Sequence, residues 1–492
     1  MNKEDFHDPV AELARQIFSA PYLYPVQRYA IANILDGINQ IVILPTGSGK
    51  SLCFQLPAVI LNGLTLIVVP LLSLMADQMR RFEEREIPCC CLKGDQTEEE
   101  RTGILEKLKS GSMKIVFTTP ESLCSGKLDS FFGSVEISHL VIDEAHCVTE
   151  WGNTFRPAYL SIGDFIKTGD IKCITAFTAT ASGNVLNSIR ESLFGDLPVI
   201  SLVENPDRVN ISYEVIPVLS KSRTVTRLVA DRDSPVLIFT RSRKRTEYYA
   251  RLLKNRFPSR EIYFYHAGLN KEERQAVEKW FMQASGGLLV ATAAFGLGID
   301  KADIRTVIHA DVPYSIEAYL QESGRAGRDK KASTAILLHS REDALFGDKL
   351  ENTILKSRYG NLLKYTQKTD VCRREILLEC MGYELDTECS GCDVCTGSSV
   401  SREDGRNELL DFFKKYRRQF SIREAVQVLQ GRQTFDVVSR ELDKCRDFGL
   451  LADWEKEDIE EGIECLLEEG ALKVPGKGFW KYRITAGKRQ SS

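Results

Sequence analysis

The stretch "ILPTGSGKSLCFQLPAVIL", from Ile43 to Leu61, joins an apolar run, a loop of small residues and a segment with helical apolar spacing. Gly47 and Gly49 let backbone N–H groups wrap phosphate oxygens, with Thr46 and Ser48 completing the loop. Lys50 reaches the terminal phosphates and Ser51 offers its hydroxyl to Mg²⁺. The strict pattern has a first glycine where Leu44 stands here. Strand, loop, Gly-Lys-Ser and helix in that order predict a parallel α/β unit that takes ATP at a helix N-terminus.

Similar short runs recur on either side, each followed by a turn and a polar, helix-like stretch: Ile41–Leu44, Leu64–Val69, Ile115–Phe117, Leu140–Ile142 and Ile174–Phe177. Runs apolar on both faces are what parallel strands covered by helices need. The pattern stops at "ENPDRVN", Glu204 to Asn210, and restarts with Val236–Phe239, Ile262–Tyr265, Leu288–Val290, Val307–His309 and Ile336–Leu338. This predicts one α/β domain over 1–205 and a second over 206–345, with a ligand cleft at the carboxyl ends of their strands. From about Leu345 the texture turns helical and charged, giving a module over 346–400 and, past the linker "TGSSVSREDG", another over 401–492.

The strand "HLVIDEAHC" ends in two carboxylates, predicted one sheet position from the phosphate loop. There Asp143 suits Mg²⁺, and Glu144 suits orienting and deprotonating an attacking water. "QESGRAGRD" in the second domain carries Gln321, Arg325 and Arg328; two arginines among small residues approach a phosphate closely, as an arginine finger does. Behind the acidic pair runs "HCVTEWGNTFRPAY", where His146 abuts the carboxylates and Trp151, Phe155 and Tyr159 recur every four residues beside Arg156. That mixture is what a single-strand base stack uses, although aromatics at helical spacing also build cores.

Cys372, Cys389, Cys392 and Cys395 form C-x16-C-x2-C-x2-C. Four soft sulfurs at such gaps suit tetrahedral Zn²⁺, with an iron–sulfur cluster as the rival. The spacing predicts Cys380 in the core, and Cys89-Cys90-Cys91 as small apolar residues. "RNELLDFFKKYRRQFSIREAVQVLQG" and "KEDIEEGIECLLEEGALK" read as helices, and "LKVPGKGFWKYRIT" as two strands around a turn. Helices closed by a hairpin resemble a winged helix. Its last helix carries Glu460, Glu461, Glu464, Glu468 and Glu469, a face that repels phosphates; Lys414, Lys415, Arg417, Arg418, Lys473, Lys477, Lys481 and Arg483 are the better nucleic-acid candidates. Phe479 or Trp480 at the turn could stack on an end base pair.

The 492 residues carry 14 cysteines and a formal net charge of -4, so any polyanion must be held by local basic patches. No leader-like N-terminus and no apolar run of membrane-spanning length is visible, which predicts a cytoplasmic chain, nucleoid-associated if bacterial, with reduced thiols.

In order, "PTGSGKS", "VVPLLSLMADQ", "DEAH", "FTATA", "LIFTRSR", "VATAAFGLGIDK" and "QESGRAGRD" resemble a superfamily 2 helicase. "EWGNTFRPAY" after DEAH-Cys and the downstream cysteines resemble the RecQ DNA helicases specifically. The resemblance implies two tandem RecA-like parallel-sheet domains, a helical zinc-binding module and a winged-helix-like domain that binds duplex DNA. It implies ATP-driven 3′-to-5′ unwinding in recombination and repair, by a monomer with single-strand-binding or repair proteins as partners. It assigns adenine reading to Gln27 of "YLYPVQ", where Tyr22 or Tyr24 would stack on the base, and ribose binding to Asp300. Thr178 and Thr180 would couple the halves; Arg241, Ser242, Thr292 and the backbone of His266 to Gly268 would touch DNA phosphates. The aromatic loop would link DNA contact to hydrolysis, with Asn153-Thr154 where the family has His-Asp, so that Glu150 could carry the coupling. The small helical module that ends many family members is not expected after Ser492. Two other functions remain open: an RNA helicase or remodeller, and a DNA-binding or annealing scaffold with a regulatory ATPase.

Overall fold

Residues apolar on both faces become the central strands of two all-parallel sheets. The computed structural model describes residues 8–45, 48–70, 72–94, 96–125, 136–150, 158–179, 183–296, 301–400, 403–475 and 482–487. The chain divides into two compact units, the first running to Arg208 and the second holding most of the residues from Val209 onward.

In the first unit the strands are β1 (Gln40–Ile43), β2 (Leu64–Val68), β3 (Cys89–Leu92), β4 (Ile115–Thr118), β5 (Ile137–Ile142), β6 (Ile174–Thr178) and β7 (Ile200–Val203). They lie in the order β3-β4-β2-β5-β6-β1-β7, every described ladder parallel. Alternate residues feed two cores. Ile41, Ile43, Leu140 and Ile142 pack with Tyr159 and Ile162 on one face; Val42, Leu44, Val141 and Phe177 pack with Ala30, Phe54 and Ala58 on the other. Each fully buried Leu, Ile, Val or Phe side chain among them contributes about 1.5–3 kcal/mol. The sheet thereby aligns the carboxyl ends of its strands, where the phosphate loop and the acidic pair sit. β6 stands between β1 and β5, so the pair is two sheet positions from the loop rather than one.

Two strands of this sheet depart from the expected signal. The Cys89-Cys90-Cys91 run, read as small apolar residues, forms the half-buried edge strand β3 and packs against the two cores. The other edge strand, β7, is partly exposed along its length, which removes the two-faced apolar pattern.

The second unit has β8 (Ile211–Pro217), β9 (Val236–Phe239), β10 (Ile262–Tyr265), β11 (Leu288–Ala291), β12 (Thr306–His309) and β13 (Ser333–His339), in the order β10-β11-β9-β12-β13-β8, again parallel. The edge strand β8 alternates buried and half-buried residues, the period-2 pattern of a strand covered on one face.

Helices Thr353–Gln367 and Arg373–Met381 follow. Beyond them, helices Arg406–Lys415, Ile422–Gln430 and Lys456–Glu468 enclose a core of Phe412, Phe413, Val428, Trp454, Ile463 and Leu466. The first two are separate because Ser421 and Glu424 form a reciprocal capping box that starts a new helix. The hairpin is short: β14 (Leu472–Lys473) pairs antiparallel with β15 (Thr485–Ala486). Lys477, Phe479, Trp480 and Lys481 lie outside the described residues.

Part of the acidic face of the last helix is turned inward. Glu461 accepts from the Ser220 hydroxyl at 2.8 Å and the Lys221 N–H at 3.2 Å, and Asp458 lies 3.1 Å from the same hydroxyl. These carboxylates meet the N-terminus of helix Lys221–Asp231, where negative charge is favoured. Two of the expected phosphate-binding lysines have local partners, Lys414 with Asp411 and Lys415 with Asp447, each at 2.7 Å. Among the described residues no helix is long and apolar enough to cross a membrane.

Candidate active site, nucleic-acid edge and metal centre

β1 delivers the phosphate loop. Leu44 N–H donates to the Thr178 carbonyl at 3.0 Å, after which the chain leaves the sheet, and helix Leu52–Ile60 begins just past Ser51. Thr46 and Gly47 lie outside the described residues. Gly49 has φ +72°, and a Cβ there would meet the Gln27 side-chain nitrogen at 2.6 Å, so both backbone and neighbour require glycine. Gln27 donates to the Ser48 carbonyl at 2.8 Å and accepts the Tyr24 N–H at 2.9 Å. The residue expected to read the base is thus also a strut under the loop. Tyr22 and Tyr24 meet edge to face, with hydroxyls 2.8 Å apart.

The Lys50 ammonium lies 2.7 Å from Asp143 and 2.7 Å from Glu144. Burial works against its charge, but the attraction of Asp143 and then Glu144 outweighs burial and holds its pKa above the ordinary lysine range. Asp143 is 1% exposed, and burial raises its carboxyl against the pull of Lys50. Asp143 N–H pairs with the Val68 carbonyl at 2.9 Å, which fixes the pair at the strand end. Glu144 has φ +50°, left-handed backbone that is uncommon for a side-chain-bearing residue and concentrates at functional sites.

Gln78, from helix Leu72–Glu83, donates to Ser51 Oγ at 3.2 Å and is itself braced by Gln55 at 2.8 Å. Gln78 lies in "VVPLLSLMADQ" with no local mark of a role; its contact with Ser51 closes a separation that no local pattern reveals.

His146 Nδ1 lies 3.0 Å from Thr178 Oγ1 and 3.4 Å from Glu144 Oε2. Hence the end of β6, the imidazole and the carboxylate form one contiguous line, bringing together two residues expected to couple. Tyr159 is buried in the core, its hydroxyl 3.4 Å from the Asp143 carbonyl oxygen, so the third aromatic of the DEAH-following loop is structural. Trp151, Phe155, Arg156, Asn153, Thr154, Thr180 and Asp300 lie outside the described residues, as does the side chain of Glu150.

In the second unit, adjacent strands β10, β11 and β9 bring three expected phosphate-contacting segments to one edge. Ser242 is exposed and caps helix Arg243–Arg256. Thr292 N–H pairs with the Tyr265 carbonyl at 3.1 Å, and Gly268 N–H with His266 Nδ1 at 3.2 Å. Arg241 is occupied differently: its guanidinium donates to Asp343 at 2.8 Å and to the Tyr359 hydroxyl at 3.1 Å, and stacks over Phe346. Gln321 sits on helix Ile316–Ser323; Arg325 is buried and Arg328 partly buried in the turn that follows. That turn is held by Gly327, φ +52°, whose N–H meets the Ile304 carbonyl at 2.8 Å.

The sulfurs of Cys372, Cys389, Cys392 and Cys395 all lie within 4.8 Å of one another. Tetrahedral Zn²⁺ with Zn–S of about 2.3 Å needs sulfurs about 3.8 Å apart, so the donors fit the ion with little adjustment. Backbone N–H groups of Arg373, Cys392 and Cys395 each reach a ligand sulfur at 3.4 Å, as thiolates require. Burial pushes the Cys389 thiol up, but the N–H groups of Gly391 and Cys392 prevail and bring it down to about 7. Cys380 is exposed rather than core, on the solvent side of its helix.

This cluster is fastened to β8. Asp393 N–H donates to the Tyr213 carbonyl at 3.1 Å, Val215 N–H donates to the Asp393 carboxylate at 3.0 Å, and Arg373 grips the same carboxylate at 2.8 and 3.1 Å.

Residues 24–189 match the DEAD/DEAH box helicase family, 220–330 the helicase conserved C-terminal domain and 403–490 the RQC domain. The chain is 31% identical over 485 residues to ATP-dependent DNA helicase RecQ of Pasteurella multocida, covering 95% of this chain and 76% of that protein. The chain belongs to the RecQ family. RecQ of Haemophilus influenzae is 30% identical over 462 residues, covering 91% of this chain and 73% of its own. At the level of fold, the structure of Mycobacterium smegmatis helicase Lhr bound to ssDNA and AMP-PNP aligns with TM-score 0.55 and 24% identity, over 73% of this chain and 50% of that one. As a RecQ-family member of superfamily 2, the chain is a helicase and an ATPase.

Beyond the RecQ motifs, sequence reasoning passed over Asp393, Arg373, Asp343 and Lys221. All are buried charges paired across distant segments. Their immediate neighbours, such as Ser220 and Ser222 beside Lys221 and Arg341-Glu342 before Asp343, are themselves polar, so no local signal marks them.

Proposed function

We propose that this chain unwinds DNA by 3′-to-5′ translocation along a single strand, in recombination and repair. The observation that supports it most is the Lys50–Asp143–Glu144 cluster, continued through His146 to Thr178 at the neighbouring strand end. Lys50 and the loop residues Thr46 to Ser51 hold the phosphates, and Ser51 and Asp143 would hold Mg²⁺, which when bound neutralises phosphate charge. Glu144 orients the attacking water and takes its proton. Gln321, Arg325 and Arg328 serve the transferring phosphoryl group, Gln27 the adenine and Asp300 the ribose.

For the strand, Ser242, Thr292 and Arg241 are proposed as phosphate contacts, and Trp151, Phe155 and Arg156 as the base-contacting loop. His146, Thr178 and Thr180 carry the signal to Glu144. Zn²⁺ on Cys372, Cys389, Cys392 and Cys395 is proposed as structural. The curated relatives are named ATP-dependent DNA helicases, and the Lhr structure was captured with ssDNA. A cytoplasmic monomer, nucleoid-associated if bacterial, that meets single-strand-binding protein or repair partners completes the proposal.

Strand displacement on 3′-tailed, 5′-tailed and RNA-tailed duplexes tests it. Unwinding confined to the 3′ DNA tail, and lost in Lys50→Ala, is the expected result. Equal activity on RNA would establish the RNA remodeller instead, and displacement surviving Lys50→Ala would leave the annealing scaffold.

A further inference from the structure

Lys221 is 1% exposed in its side chain and opens helix Lys221–Asp231, yet no chemistry described so far uses it. Its ammonium donates to Asp311 at 3.1 Å and to Asp343 at 3.0 Å, both carboxylates almost wholly buried. Glu342 lies 4.0 Å away on the rim, and Arg245 pairs with Asp311 at 3.0 Å. Removing one partner from so buried an ion cluster leaves an uncompensated charge, so its members hold one another in place.

Both carboxylates have a second task. Asp311 accepts the backbone N–H of Arg241 at 2.9 Å, and Asp343 accepts the Arg241 guanidinium at 2.8 Å. Main chain and side chain of Arg241, one residue from Ser242, are therefore set by the two acids that Lys221 neutralises.

The backbone end of Lys221 faces a different part of the molecule. Its N–H and the Ser220 hydroxyl bind Glu461, and Asp458 approaches that hydroxyl too. Leu219 enters the core of the C-terminal module, while Arg223 pairs with Asp453 at 2.6 Å and stacks over Trp454. The first turn of helix Lys221–Asp231 is thus the seat on which that module rests.

We propose that Lys221 is a positioning residue that couples the seating of the C-terminal module to the conformation of the Arg241–Ser242 segment. Contiguity alone does not create coupling; both ends must bias one element. Here that element is a single helical turn, gripped by Glu461 through its backbone and by Asp311 and Asp343 through the ammonium. Unseating the module frees the turn, the ammonium shifts, and the two acids lose their fixed hold on Arg241. The functional consequence, a looser grip on the single strand, rests on the proposal that this segment touches DNA.

Hydrogen exchange on the full chain, without DNA, tests the coupling. Glu461→Ala is expected to raise exchange of the Arg241–Ser242 segment about tenfold although Glu461 touches neither residue. Ser220→Ala should act in the same direction, and Glu461→Gln, which keeps one oxygen for the Lys221 N–H and can donate its amide to the Ser220 hydroxyl while that hydroxyl donates to Asp458, should restore protection. Combined with Lys221→Met, Glu461→Ala should add nothing further; should Lys221→Met fail to fold, the Ser220→Ala and Glu461→Gln arms decide alone. Faster exchange confined to the C-terminal module, or independent effects of Glu461→Ala and Lys221→Met, overturns the proposal. Affinity of Ser242→Ala for a fluorescent oligothymidylate is measured separately. An unchanged affinity there removes the DNA contact while leaving the exchange result standing.

Discussion

The Lys50 ammonium lies 2.7 Å from Glu144 Oε1, and Glu144 is held in left-handed backbone at φ +50°. One carboxylate thus balances the lysine proposed to bind phosphate, while its left-handed main chain aims it off the strand end. Glu144→Gln is expected to keep ATP affinity and to slow turnover by about 10²–10⁴-fold, the usual weight of a general base. Single-turnover hydrolysis beside equilibrium nucleotide binding checks it; turnover within a few-fold of wild type would move the base elsewhere.

Gln27 bridges Tyr24 and Ser48, so its loss should act through the phosphate loop as well as through the base. Gln27→Ala is expected to weaken GTP as well as ATP, and ATP the more. Weakened ATP with untouched GTP would mean that base reading alone is its task. Comparing the two dissociation constants decides.

Arg373 and Asp393 form a buried bidentate pair behind the cysteine cluster. Asp393→Ala should retain one Zn²⁺ per chain yet cost about 3–5 kcal/mol, since Arg373 is left charged and buried. Cys392→Ser should lose the metal itself. Metal analysis and denaturant unfolding of both variants separate the two effects, and full metal loss in Asp393→Ala would make the aspartate part of the ion site.

His139, on β5, is fully buried 3.0 Å from Thr175 Oγ1, and burial pushes its pKa down to about 3. The unfolded chain takes up this proton near pH 6.5, whereas the folded chain does not until about pH 3. Below pH 6.5 the unfolded state therefore binds more protons, and stability falls by up to about 1.4 kcal/mol per pH unit. His139→Gln should flatten the decline of the melting midpoint between pH 7 and pH 5. An unchanged slope would assign the acid sensitivity to other groups, such as His339, which burial lowers to about 4.

The central strand Val236–Phe239 was legible because it announces itself by an apolar run between turns, and so was Ile262–Tyr265 although it lies at a sheet edge; the bounds of both match the structure. The other edge strands were not. Ile200–Val203 is half-exposed, Ile211–Pro217 alternates, and a run of three cysteines at 89–91 gives no β-branched signal. Lys50, Asp143, Glu144 and the four cysteines were legible because their chemistry depends on short spacings. Gln78, Asp393 and Lys221 act through partners 20 to 240 positions away in the chain, which spacing cannot express. The inward turn of Glu461 was hidden for the same reason: the five glutamates read as a phosphate-repelling face until Ser220 is placed beneath Glu461.

β8 is an edge strand, and an edge with open N–H and C=O groups is a template for another chain. Here Asp393 takes up the Tyr213 carbonyl and the Val215 N–H, and the Gly391 carbonyl accepts from the Ser212 side-chain hydroxyl. The cysteine-bearing loop therefore acts as a cover over a surface that would otherwise invite strand addition. Stripping the metal should then appear first as self-association that rises with protein concentration, before any loss of helix content.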